Sequence, residues 1–98
     1  MPIDETIRAL GDPTRREILR ALRSGDLTAG EIGSRFPITG ASISHHLGVL
    51  KEAGLVQAQR EGRTIVYSLD STVFQEFVGQ LMTLLDAGED NSNGNGVA

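Results

Sequence analysis

The chain has 98 residues, 39% of them hydrophobic, and no cysteine. That suits one domain with a single modest core, and it excludes disulfides and thiolate metal sites. The formal net charge of −4 argues against a nucleic-acid partner only if it is evenly spread. It is not: residues 1–26 are neutral, residues 27–64 carry +1, and residues 65–98 carry −5 with no Lys or Arg. The acidity is C-terminal, and the middle of the chain stays mildly basic, so any electrostatic grip on a polyanion is modest per subunit and a dimer is expected for tight binding. No stretch reaches the ~20 apolar residues of a membrane-spanning helix. Residues 3–10 carry Asp4, Glu5 and Arg8 where a secretory signal would be apolar, so a cytoplasmic location is expected.

Ile3, Ile7 and Leu10 recur at i, i+4, i+7 and predict a short first helix, ended by Gly11. Asp12-Pro13 opens a second, with Asp12 as N-cap and Pro13 at the first helical position, where its missing N–H costs nothing. Ile18, Leu19 and Leu22 are its buried stripe, and Gly25 stands where a left-handed cap is expected. Thr28-Ala29-Gly30-Glu31 is a capping box opening a third helix, with Leu27 and Ile32 at staple positions. Phe36 is its last apolar residue before Pro37 breaks it.

Thr39 caps a fourth helix over residues 39–53, and Ile38 and Ile43 repeat the staple pattern. Ile43, Leu47 and Leu50 form one apolar stripe; Ser42, His45 and His46 fall largely outside it. Two helices joined by only a few residues make a helix-turn-helix. Gly54 closes the fourth helix, and the period changes from 3.6 to 2. Val56, Ala58 and Arg60 alternate with Gln57 and Gln59, and Ile65, Tyr67 and Leu69 alternate with Val66 and Ser68. Glu61-Gly62-Arg63 is the tight turn between the two runs.

The expected fold is therefore mostly α with a small β-hairpin: a winged helix-turn-helix of five helices and a two-stranded wing. The fifth helix follows Asp70 or Ser71. Phe74, Phe77, Val78, Leu81, Leu84 and Leu85 give it more apolar surface than so small a core needs. With Ile3 and Ile7 of the first helix, they are the expected dimer interface. Residues 1–87 then form the domain, and residues 88–98 a disordered acidic and polar tail.

The fourth helix is expected to read DNA. Ser42, Ser44 and His45 can each donate or accept toward base edges in the major groove, and Gly40 and Ala41 let that helix end approach closely. The helix starts capped by Thr39 and Thr28 offer amides to phosphate. His45 is assigned to bases, while His46 is either a DNA contact or a half-buried group that orients the helix. Ser44 is open to a similar alternative, facing the preceding helix. Lys51 is placed on phosphate or in solvent. Arg60 and Arg63, flanking the wing tip over residues 60–64, are assigned to phosphate or minor groove, Arg63 the better of the two. Arg15 and Arg16 are expected to be structural, one of them bridging to an acid such as Glu5 or Asp12. Adjacent histidines project about 100° apart on a helix and do not converge on a metal ion. No nucleophile–base arrangement or phosphate loop supports catalysis, so neither enzyme chemistry nor a cofactor is expected.

The segments D-P-T-R-R-E-I-L (Asp12 to Leu19), T-A-G-E-I (Thr28 to Ile32), S-I-S-H-H-L-G-V-L-K-E-A-G-L-V (Ser42 to Val56) and the closing I-V-Y-S-L resemble the ArsR/SmtB family of bacterial winged-helix repressors, in the right order over residues 3 to 87. Within it, D-P-T-R-R, G-D-L-T-A-G-E-I and S-I-S-H-H-L resemble the SdpR-like autorepressors. The resemblance implies a homodimer joined through its first and last helices, and repression at an operator overlapping a promoter. Metal-sensing members carry a C-x-C on the third helix or His and acid ligands on the last; this chain has neither, since no His lies beyond His46. Two other readings remain: an interaction module sequestered by a membrane-bound or soluble signalling protein, and a metal or ligand sensor with a non-cysteine site.

Overall fold

The computed structural model describes residues 3–86. Its elements run α1 (Ile3–Leu10), α2 (Pro13–Leu22), β1 (Leu27–Thr28), α3 (Ala29–Gly33), α4 (Gly40–Glu52), β2 (Val56–Glu61), β3 (Thr64–Leu69) and α5 (Ser71–Asp86). The expected tail over residues 88–98 lies outside the described residues, as do residues 1, 2 and 87.

Helix starts follow the capping chemistry of the sequence. Asp12 accepts from the Arg15 amide with Pro13 at the first position of α2. Thr28 and Glu31 form the full reciprocal capping box at α3. Thr39 accepts from the Ser42 amide at α4. Asp70, not Ser71, caps α5: its Oδ1 accepts from the Val73 amide at 3.1 Å, and its Oδ2 accepts from Gln57 Nε2 at 2.8 Å, tying β2 to the helix start.

Helix ends depart from expectation in two places. The third helix stops at Gly33, with Ser34 as its C-cap, well before Phe36. Residues 34–38 then make a turn, because Pro37 disfavours helical geometry in the residue before it. Gly25 has φ +153, outside the left-handed helical well, and lies beyond the C-cap Arg23. Gly54 does fill the left-handed role at φ +79. Its amide donates to the Lys51 carbonyl at 2.9 Å and the Leu55 amide to that of Leu50 at 3.0 Å, the paired bonds of a Schellman stop. Leu50 and Leu55 are both fully buried there.

The two-stranded wing is the hairpin of β2 and β3, and β1 extends it into a three-stranded antiparallel sheet in the order β1-β3-β2. The two residues of β1 pair Leu27 with Tyr67 and Thr28 with Val66. They were invisible as a strand because the same residues read as the approach to α3. The hairpin register pairs Val56 with Leu69, Ala58 with Tyr67 and Arg60 with Ile65 on one face. Gly62, at φ +66, turns the chain between Glu61 and Thr64.

The core gathers Ile18, Leu19 and Leu22 of α2, Ile32 of α3, and Ile43, Leu47 and Leu50 of α4 around Ala9, Ala53, Leu55 and Val56. In α1 the buried residues are Thr6 and Ala9, while Ile7 is 48% exposed. The Ile3–Ile7 spacing marks a helix correctly, yet in one subunit that stripe is not the core face. The Ile38–Ile43 staple is also lopsided, with Ile43 buried and Ile38 exposed. Helix α5 buries none of its residues.

Candidate nucleic-acid interface

Helix α4 is held by one face only. Ile43, Leu47 and Leu50 are buried, whereas Thr39, Gly40, Ala41, Ser42, Ser44, His45, Gly48 and Lys51 are exposed. Its outer surface is therefore a row of small residues, Ala41, Ser44 and Gly48, with the His45 imidazole standing beside them. Space around Gly40 and Gly48 is open, which suits close approach to a groove. Ser44 faces outward and not toward the preceding helix. Ser42 and Ile43 amides are already bonded to Thr39, through its hydroxyl and its carbonyl respectively, so the Gly40 and Ala41 amides are the ones left at the helix start to meet a phosphate.

His46 points elsewhere. Its side chain is 15% exposed, and Nδ1 lies 3.3 Å from Arg15 Nη1 and 3.8 Å from Asp12 Oδ2. It faces the start of α2 and not the open surface. Arg15 and Arg16 are indeed structural, but with carbonyls as partners in place of an acid. Arg15 Nε donates to Ala9 O at 2.8 Å and Nη2 to Arg8 O at 3.1 Å, while Arg16 Nη1 donates to Leu10 O at 2.8 Å. Two guanidiniums thus satisfy the orphan carbonyls at the end of α1, where a cation is favoured. Asp12 is held below the usual carboxylate range, first by the Arg15 amide that donates to it; desolvation opposes this, and the Arg15 guanidinium adds to it.

Thr28 is half-buried and fully occupied as a cap: its amide donates to Glu31 Oε1 at 2.8 Å, and its hydroxyl accepts from the Glu31 amide at 3.0 Å. A carboxylate sits where a phosphate was expected at α3, which makes that helix start a poor anion site. The N-terminal turn of α4 carries no acid and remains the better one.

At the wing, Arg60 and Arg63 are exposed, and neither has a carboxylate within 4.0 Å among the described residues. The same holds for Lys51. Arg8 is given no role by the sequence. It lines an open groove of about 710 Å³ between α1 and α4, together with Glu5, Ser44, His45, Gly48 and Lys51. Only the packing of α1 across α4 brings it there; spacing in the chain carries no such signal. Among the described residues no group of three or more His, Cys, Asp or Glu is arranged to hold a metal ion.

A helix-turn-helix domain model matches residues 10–57, the span from the end of α1 to the first residues of the wing. The transcriptional repressor SdpR of Bacillus subtilis (strain 168) is 40% identical over 91% of this chain and 99% of its own length. The chain belongs to the ArsR family of winged-helix transcriptional regulators. An ArsR-like transcriptional regulator from Rhodococcus sp. RHA1 superposes with a TM-score of 0.79 at 29% identity, covering 88% of this chain and 81% of that one. The ArsR family transcriptional regulator RHA00566 gives a TM-score of 0.78 at 25% identity over 91% and 92%. As a member of this family, the chain is a DNA-binding transcriptional regulator and not an enzyme. No helix of the described residues is long and apolar enough to cross a membrane.

Proposed function

We propose that the protein is a homodimeric repressor that binds a two-fold operator, its own promoter being the first candidate. Helix α4 enters the major groove, with Ser42, Ser44 and His45 toward base edges. The Gly40 and Ala41 amides, Lys51, Arg60 and Arg63 take phosphates. Thr39 and Thr28 contribute by shaping helix starts, and His46 by positioning its helix.

The observation that carries the dimer is α5. It is 16 residues long and buries none of them, leaving Val78, Leu84 and Leu85 at 55%, 58% and 66% exposure. Phe74, Phe77 and Leu81 are only half-covered, and α1 adds Ile3 and the exposed Ile7 next to them. So continuous an apolar face on a small domain is characteristic of an interaction surface. A two-fold axis through it would duplicate the outward face of α4, and half-sites one turn apart, about 34 Å, would match. Footprinting on the region upstream of the gene tests both parts together. The expected result is a palindromic protected site with centres about 10 base pairs apart; an asymmetric single half-site would remove the dimer, and no protection at low salt would remove the operator.

A further inference from the structure

We infer that Arg15 and His46 form a positioning link that fixes the rotation of the recognition helix relative to α1, which holds one side of the proposed subunit interface. The inference rests on the dimeric DNA-binding reading above. Arg15 lies in the first turn of α2, its amide fixed by Asp12 Oδ2 at 3.0 Å. Its side chain reaches two further helices. Nε and Nη2 donate to the Ala9 and Arg8 carbonyls of α1, and Nη1 donates to His46 Nδ1 on α4. A guanidinium is planar with its donors in a rigid fork. Once two carbonyls of α1 set its plane, the direction of Nη1 is set as well, and so is the place where the His46 ring must lie.

The consequence falls on His45. The stripe of Ile43, Leu47 and Leu50 holds α4 to the core by burial, which is non-directional. The bond to His46 is directional, and His46 precedes no loop: it is the immediate neighbour of the outward His45. At the ~5–6 Å radius of a helix, a rotation of ~10° moves a side-chain tip by ~1 Å, which exceeds the ~0.5 Å range of a good hydrogen bond. Holding the ring of His46 therefore holds Ser44 and His45 in register with a base edge. Because the same guanidinium grips α1, this register is referred to the subunit interface. A guanidinium has only donors, so Nδ1 is the acceptor and the ring proton sits on Nε2.

The test uses the full chain, with Arg15→Lys, His46→Leu and His46→Asn. Lysine keeps the charge and loses the fork; leucine keeps bulk and loses the acceptor; asparagine keeps an acceptor near Nδ1. Affinity is measured for the footprinted upstream fragment and for random duplex at one salt concentration, beside the melting temperature. Arg15→Lys and His46→Leu are expected to lose about tenfold on the upstream fragment, the scale of one base contact. Binding to random duplex should change less than about twofold, since phosphate contacts carry it. His46→Asn should recover most of the loss. Equal losses on both DNAs, or an asparagine variant as poor as the leucine one, would overturn the proposal. A second readout needs no DNA: the ¹⁵N resonance of His46 Nδ1 and the amides of residues 39–46 should move in Arg15→Lys. If they stay in place, the link is absent. If wild type binds no upstream fragment, the operator reading fails, and the ¹⁵N result still decides whether Arg15 orients His46.

Discussion

His45 and His46 are neighbours with opposite surroundings, and the difference is one of rotation about the helix. A step of about 100° carries the chain from the open groove side to the start of α2. His45→Ala is expected to weaken binding to the operator by about 1–3 kcal/mol, the range for a specific base contact, and to change random-duplex binding far less. Equal loss on both, in a mobility-shift titration, would remove His45 as a base reader. Asp12 gives a prediction in pH. Its folded-state carboxyl titrates below the ordinary value, held there first by the Arg15 amide. The stability it contributes is therefore present above about pH 4 and lost as pH falls through the lowered folded value. Asp12→Asn keeps the capping geometry and removes the charge. Its melting temperature should fall below that of wild type at pH 7, and the gap should close in acid. A gap independent of pH would show that ionised Asp12 adds nothing.

Among the elements, the end of α4 and the wing make separable demands. Gly54 sits at φ +79, and a Cβ there would meet only Val73 methyls at ordinary contact distance. Gly54→Ala should therefore cost about 1–2 kcal/mol from backbone strain alone, read as a shift of the denaturation midpoint with unchanged slope. Arg63 is at the tip of a hairpin whose shape needs Gly62, not Arg63. Arg63→Ala is expected to leave stability within about 0.5 kcal/mol while weakening all DNA binding and reducing the salt slope by about one. An unchanged slope would place the wing in solvent. The capping residues Asp12, Thr28 and Thr39, and the stop at Gly54, were legible in the chain because a cap is a local contract between residues three or four apart. The early end of α3 and the strand β1 were not. The strand depends on a distant partner: Leu27 and Thr28 become a strand only because β3 offers an edge to pair with.

For the whole molecule, the decisive quantity is apolar surface left uncovered on α1 and α5. Val78→Glu with Leu85→Glu should yield a folded monomer by sedimentation, with the helical signal kept and operator affinity lost; a dimer that survives would put the interface elsewhere. Operator affinity should also fall with salt as counterions are released, with a slope set by the few cations that each DNA-facing half supplies, the acidity lying beyond residue 64. The sequence by itself determined the helix periods, the caps, the hairpin and the two-faced character of residues 39–53, since each is written in spacings within one turn or one strand pair. Only the tertiary structure decided which face of α1 is core, where His46 points, and that Arg8 lines the open groove between α1 and α4. It also gave the Arg15 and Arg16 side chains carbonyls at the end of α1 as hydrogen-bond partners, where one of them was expected to bridge to an acid. The place of His46 is a fact of packing between segments 31 positions apart in the chain, whereas the Arg15 bonds to α1 span only six and seven positions. The relative rotation of α2 and α4 is set by the contacts made when the helices meet, so no local pattern could encode it.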